Sequence, residues 1–293
     1  MRAWDLADGD EIHPGLTAVR LLGGGHRYEA YLAWHDRMRH LVVAKVLRPD
    51  HCGRRRSHDA LTAEAELLGR LAHPLLVRSF GAAPDAERPH LLLEHLEGPR
   101  LSTLIRRYGV ILEQVLPLGM NLSSALHYVH GEGVVHLDVK PRNIIMAGAP
   151  RLIDLSVARR LADVALVESP VGTDAYMAPE QCHPDLFASI GPKSDVWGLG
   201  ATLHEALTGD LPFPRRDGDR YPQLSQSPQR PRGRLPGELV DLVMACLEPD
   251  PADRPSAAQV GDALEPLVEQ LPAPRIGRFR PGARPLAERL DAS

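Results

Sequence analysis

The sequence predicts an α+β chain in two lobes: an antiparallel β-sheet with one helix at the front and a mainly helical lobe behind. Three observations predict it. Short β-type runs broken by glycine or polar turns fill the first third, one stretch of helical spacing interrupts them, and after Gly98 the apolar residues recur at a sustained helical period. In order, 16–22, 28–34 and 41–47 read as strands. Leu61, Ala65, Leu68 and Leu71 then mark a helix, with Ser57 as the expected N-cap and His73-Pro74 as the stop. A further strand is expected at 91–93, and helices at 114–131, 195–209, 238–247 and 257–271. The expected division is therefore 1–96 for the front lobe, 97–271 for the helical lobe and 272–293 for a Pro/Arg-rich tail. The aperiodic, Arg-rich stretch 214–237 reads as loop.

Composition narrows the function classes. The chain has 293 residues, 43% hydrophobic and 25% charged, with a net charge of −4. That is enough to bury a core unaided, and it excludes a disordered protein or a disulfide scaffold. Near-balanced charge leaves no global footprint for nucleic acid or an anionic membrane. No apolar run approaches the roughly 20 residues that span a bilayer, and the acidic first ten residues do not read as a signal peptide. The expected location is cytoplasmic. Cys52, Cys182 and Cys246 lack metal-type or CxxC spacing and read as packing residues. Of 34 basic residues only three are lysines, Lys45, Lys140 and Lys193, and the chain has only two asparagines, Asn121 and Asn143. On such an Arg-rich background, each lysine marks a place where a compact ammonium is wanted and a guanidinium fork will not serve.

Three stretches carry chemistry. Gly23-Gly24-Gly25-His26-Arg27-Tyr28 lies between two expected strands, where glycines let backbone N–H groups approach phosphate oxygens; a plain hairpin turn is the alternative. Val42-Val43-Ala44-Lys45-Val46 puts an ammonium in an apolar strand, and Glu64 on the following helix is a suitable counter-charge. His136-Leu137-Asp138-Val139-Lys140-Pro141-Arg142-Asn143 is followed, eleven residues on, by Asp154 between Ile153 and Leu155. A carboxylate, an ammonium, a carboxamide and a second carboxylate form a phosphoryl-transfer set. Asp138 suits a hydroxyl, Lys140 the transferred group, and Asn143 with Asp154 a hard divalent ion.

On these residues the chain resembles the protein kinase family, and within it the bacterial Ser/Thr kinases of eukaryotic (Hanks) type. Gly172-Thr173, Tyr176-Met177-Ala178-Pro179-Glu180, Ser194-Asp195-Val196-Trp197-Gly198-Leu199-Gly200 and Asp250-Pro251-Ala252-Asp253-Arg254-Pro255 follow in the family's order, so the resemblance spans about 15–270. It implies ATP with Mg²⁺ or Mn²⁺, and protein substrates with Ser or Thr acceptors. Asp138 is then the catalytic base, with Lys140 beside it; Lys45 holds phosphates and pairs with Glu64; Asn143 and Asp154 bind the metal. Gly23, Gly24, Gly25, Ala30 and Ala44 would line the nucleotide. Leu93 takes the gatekeeper position, and the backbone of Glu94 and Leu96 would meet adenine. Glu180–Arg254 and Asp195 are implied to be structural, and Thr173 to bond the catalytic pair.

Four departures from the family pattern qualify this. Tyr28 replaces the third glycine and Ala30 the adenine-packing valine, implying a stiffer and leakier lid that still binds. Leu137 replaces the arginine that reads a phosphorylated activation loop, so activity should not depend on such phosphorylation. Ser156 replaces the glycine after Asp154-Leu155, implying a site locked in one state. No membrane helix or sensor domain follows the catalytic region in this sequence, so signals should arrive through a soluble partner, for which the Arg-rich 215–234 loop and the tail are the expected docking surfaces. A pseudokinase scaffold is the rival reading, and a small-molecule phosphotransferase a weaker one.

Overall fold

Residue alternation along the strands decides how the front lobe packs, since successive side chains point to opposite sheet faces. The computed structural model describes residues 2–184, 190–214 and 218–271. The expected tail and Arg215–Arg216 of the Arg-rich loop lie outside them. Strands β1 (Glu11–His13), β2 (Leu16–Gly24), β3 (Tyr28–His35) and β4 (His40–Leu47) lead into α1 (Pro49–Cys52) and α2 (Arg55–Arg70), then β5 (Ser79–Ala83) and β6 (His90–Glu94). They form an antiparallel sheet in the order β1-β2-β3-β4-β6-β5. On its outer face Ile12, Leu16, Ala18, Tyr31, Ala33, Val42, Ala44 and Val46 cluster, with Trp4 and Leu6 packed against them. The inner-face residues Tyr28, Leu47, Leu91 and Leu93 instead join Leu61, Leu67 and Leu68 of α2 in a core that continues into the second lobe. Each fully buried leucine there stabilises the fold by about 1.5–3 kcal/mol.

The helix expected behind Ser57 begins three residues earlier, at Arg55. Arg54 stands at the N-cap without a side-chain cap. Ser57 lies buried in the first turn, its hydroxyl 3.0 Å from His51 Nδ1. A hydroxyl that finds a tertiary partner has no need to cap.

The sheet ends at Glu94, and the helical lobe follows: α3 (Leu101–Tyr108), α4 (Leu112–Gly131), β7 (Val134–Val135), the hairpin β8 (Ile144–Ala147) and β9 (Ala149–Leu152), β10 (Arg159–Arg160), α5 (Pro179–Cys182), α6 (Pro192–Thr208), α7 (Gly237–Cys246) and α8 (Ala257–Glu269). The four expected helices correspond to α4, α6, α7 and α8 with ends shifted by a few residues. α3 is an addition to the expected helices: Leu101, Leu104, Ile105 and Tyr108 recur at helical spacing over its two turns, and Leu101 and Ile105 are buried. Helix α6 presses on the stretch around Val139 so closely that a Cβ on Gly198 would lie 2.9 Å from the Val139 carbonyl oxygen.

The Arg-rich stretch is less free than its composition suggests. Gln223, buried in a short turn at Pro222–Leu224, donates to the carbonyls of Asp174 (2.8 Å) and Met177 (2.9 Å). Arg220 pairs with Asp174 at 3.0 Å, and Arg230 pairs with Asp241. Cys182 and Cys246 are fully buried, and desolvation pushes each thiol up to about 12, in keeping with packing roles. No helix among the described residues is long and apolar enough to cross a membrane.

Candidate active site

Lys45 leaves the inner face of β4 in register with Ala30 on β3 and Leu91 on β6. Its ammonium has three N–H bonds, and three carboxylate oxygens accept them: Glu64 Oε1 and Oε2 at 2.8 Å and Asp154 Oδ1 at 2.7 Å. Burial works against the Lys45 charge, yet Glu64 and Asp154 outweigh it and hold the ammonium above its ordinary value. At Asp154 burial likewise opposes ionisation, and the Lys45 charge overcomes it and holds the carboxyl below its usual range. The α2 helix is thus drawn against the sheet and tied to the second lobe by one ammonium. Asp154 itself lies outside the strands. It follows β9 in a turn with φ of 69°, a left-handed conformation that costs a non-glycine residue energy. Leu155 beside it is buried in the main core with Leu68.

The second charge group assembles on the loop after β7. Asp138 accepts from Lys140 Nζ (2.6 Å), from the Thr173 hydroxyl (2.7 Å) and from Asn143 Nδ2 (2.9 Å); Lys140 also donates to Thr173. Asp195, wholly buried on α6, accepts from the backbone N–H groups of His136 (2.8 Å) and Leu137 (2.6 Å), with His130 Nε2 at 2.9 Å. That grip explains how Leu137 is kept at φ of 63°, a strained value for a leucine. Burial opposes Asp195 ionisation too, but the histidine and backbone partners depress its pKa. Below this lies the buried fork of Arg254 on Glu180, at 2.7 and 3.0 Å, with Ser194 donating to the same carboxylate at 2.7 Å.

Over the cleft, the glycine loop folds into a tight hairpin. Gly25 N–H donates to the Tyr28 carbonyl at 2.9 Å, and a Cβ on Gly24 would stand 2.6 Å from that same oxygen, so no side chain fits there. Arg48 ties the hairpin down: its Nε donates to the Gly25 carbonyl (2.8 Å), its backbone N–H to Arg27 (2.9 Å), and its guanidinium pairs with buried Glu29 at 3.0 Å. Glu29 in turn accepts from the Trp4 backbone N–H at 3.1 Å. These bonds fasten the loop to Arg48, and the Tyr28 ring turns inward and is buried.

Along the back of the cleft Leu93 is buried on β6, and Glu94 pairs with Arg151 of β9. Leu96, just past the strand, has no hydrogen bond to any described residue, which leaves its N–H available.

The sequence matches the family of protein kinase domains over residues 16–263. The chain belongs to the protein kinase family. It is 31% identical over 253 residues to the serine/threonine-protein kinase PknB of Mycobacterium leprae, covering 80% of this chain and 40% of that protein. It is 34% identical to the probable serine/threonine-protein kinase PkwA of Thermomonospora curvata, over 83% of this chain and 33% of that protein. Likeness to PknK of Mycobacterium tuberculosis is 32%, over 90% of this chain and 25% of the relative. The chain thus spans less than half the length of these relatives. Within the family it falls with the bacterial Hanks-type Ser/Thr kinases, and the fold is the two-lobed kinase fold.

Against that family, one expected site residue is misplaced. Ala44 points to the outer face, fully buried among Val42, Val46 and Tyr31, while Val43 shares the cleft face with Lys45. The strand period of two settles the matter, since residues i and i−2 share a face and i−1 does not. Applied to Lys45, that rule selects Val43 from sequence alone. Other residues had no such signal: Arg48 and Glu29 lie next to motifs, but their pairing across β3 and β4 is a tertiary contact, and Gln181, whose amide donates to the carbonyls of Leu137 (3.0 Å) and Val171 (2.8 Å), matters only once the chain is folded.

The kinase family implies ATP and a divalent metal, and the residues here fit both. Asn143 spends its amide N–H on Asp138, leaving its carbonyl oxygen free, and Asp154 has Oδ2 to offer beside the oxygen bound to Lys45. Among the described residues no three His, Cys, Asp or Glu side chains gather as a metal site. Two hard oxygens completed by phosphate and water are the coordination Mg²⁺ prefers.

Proposed function

We propose that this kinase transfers the γ-phosphoryl group of ATP to Ser or Thr hydroxyls of proteins. The observation that carries the reading is that both charge groups are already closed, Lys45 with Glu64 and Asp154, and Asp138 with Lys140, Thr173 and Asn143. Phosphoryl transfer rests on positioning and electrostatics, so a preassembled set is what it requires. In this reading Asp138 orients the acceptor hydroxyl and takes its proton, while Asn143 and Thr173 fix the carboxylate. Lys140 places positive charge beside the group in flight. Lys45 holds the α and β phosphates, and the Glu94 carbonyl and Leu96 N–H receive adenine. Mg²⁺ held by Asn143 and Asp154 would supply neutralising charge on the phosphates.

Regulation belongs to the same reading. Leu137 lies in an apolar cluster with Val135 and Ile190, against which Val157, Val164, Val167 and Val171 of the activation segment pack. Where an arginine would await a phosphate, the segment is held by burial, which supports activity without activation-loop phosphorylation. Ser169→Ala is accordingly expected to leave turnover within about twofold of the native chain. A tenfold drop in steady-state transfer would remove this part of the proposal. A soluble acidic partner would have Arg232 and Arg234, both exposed, as its described contacts on the loop.

The rival reading, a scaffold that transfers nothing, is favoured by one observation: Tyr28 lies over Lys45. Intact-mass measurement after incubation with Mg²⁺-ATP and a basic protein acceptor separates the two, with Asp154→Ala as control. Additions of about 80 Da, absent in the control, are expected. No addition under any condition, with ATP still raising the melting temperature, would instead establish the scaffold.

A further inference from the structure

Tyr28 stands on the inner face of β3, opposite Leu47 and one inward position from Ala30, which pairs with Lys45. Its ring centroid lies 4.7 Å from Lys45 Nζ, and the Arg27 guanidinium is 5.9 Å from the same centroid. All three N–H bonds of Lys45 are spent on Glu64 and Asp154, and the ring covers the approach from the lid side. A phosphate arriving beneath the lid would find the ring on its approach to a lysine side chain that is only 12% exposed.

Of the groups around Lys45, the ring is the one built to leave. Glu64, which is buried, and Asp154, which is partly exposed, are held by charge-assisted bonds, whereas Tyr28 is held by a cation–π contact and apolar packing. Its phenol oxygen is buried without a hydrogen-bond partner among the described residues. An unsatisfied hydroxyl penalises the inward position and would be relieved by water on the way out. Rotation about χ1 would carry the ring outward while Arg48 keeps the Gly25 end of the hairpin pinned.

Resting on the kinase reading above, we propose that Tyr28 is an internal occupant of the phosphate site, so that nucleotide binds by displacing its ring and Tyr28 sets the affinity for phosphate-bearing nucleotides. Adenosine, which has no phosphate to place beside Lys45, is indifferent to it.

Calorimetric titration of the full chain with Mg²⁺-ATP and with adenosine tests this on Tyr28→Gly, Tyr28→Leu and Tyr28→Phe, each first checked for its unliganded melting temperature. Leucine keeps apolar bulk should glycine fail to fold. Both the glycine and leucine variants are expected to bind ATP about three- to thirtyfold tighter than the native chain, the range of one lost cation–π contact, with adenosine changed less than twofold. Phenylalanine keeps the π face and sheds the unsatisfied hydroxyl, so its ATP affinity should be no tighter than native. ATP affinity unchanged or weakened in the glycine and leucine variants, with adenosine binding retained, would overturn the proposal and leave the kinase reading intact. A parallel shift for adenosine and ATP would also overturn it. Failure of every variant and the native chain to bind either ligand would sink the nucleotide reading, and this proposal with it.

Discussion

Asp138→Asn is expected to lower phosphoryl transfer by about 10²–10⁴-fold, the range of a lost general base, while the melting temperature moves by only a few degrees. The geometry separates the two effects. Asp138 is held by three side chains, Lys140, Thr173 and Asn143, all within 2.9 Å or closer, so the amide of the variant still has partners and the loop keeps its shape. What it loses is the negative charge that, in the proposed mechanism, draws the proton off an incoming hydroxyl. The loop is in any case fixed from behind, by Asp195 on the N–H groups of His136 and Leu137, not by Asp138. Single-turnover transfer measured beside a thermal melt checks this. Near-native transfer by the variant would remove Asp138 from its proposed role; a collapse of the melt would show that the carboxylate is structural.

Arg254→Ala is expected to destabilise the fold by about 3–5 kcal/mol, because it strands the Glu180 carboxylate in a site closed to bulk solvent. The numbers favour a large effect. Arg254 and Glu180 are essentially inaccessible, at 1% and 0% exposure. The guanidinium makes both prongs of a bidentate pair, donates to the carbonyls of Lys193, Glu248 and Pro249, and stacks at 4.9 Å over Trp197. Lysine should rescue little of this, since an ammonium cannot reproduce the planar fork. For a chain of this size the loss corresponds to a fall in melting temperature of about 6–20 °C. Equilibrium urea unfolding of both variants is the check, and a loss below about 1 kcal/mol would mean that the pair does not brace the lobe.

Much of the site was legible before folding. Asp138, Lys140 and Asn143 lie within one short loop, and a kinase holds them at close sequence spacing because a loop of that length brings them together by itself. Lys45 and Glu64 were legible for a different reason: a lysine in an apolar strand needs a counter-charge, and the next helix offered one. Reading failed where an outcome depends on which way a side chain faces. The resemblance assigns Ala44 to the cleft although the strand period gives that face to Val43, and Ser57 has the residue type of a cap although a histidine six residues earlier holds its hydroxyl. The Arg-rich loop looked free because composition does not reveal that Arg220 and Gln223 fasten onto the chain at Asp174.

What the sequence by itself determined is the family, the two-lobed fold and the inventory of charged groups, since these reside in local spacing and residue type. Only the tertiary structure decided the state of the cleft. Whether Tyr28 leaves the lid open or closes it on Lys45 turns on a contact between neighbouring strands, where a ring face meets an ammonium already saturated by two carboxylates from opposite lobes. Such a contact exists only once desolvation makes the ring and the charge worth more to each other than to water.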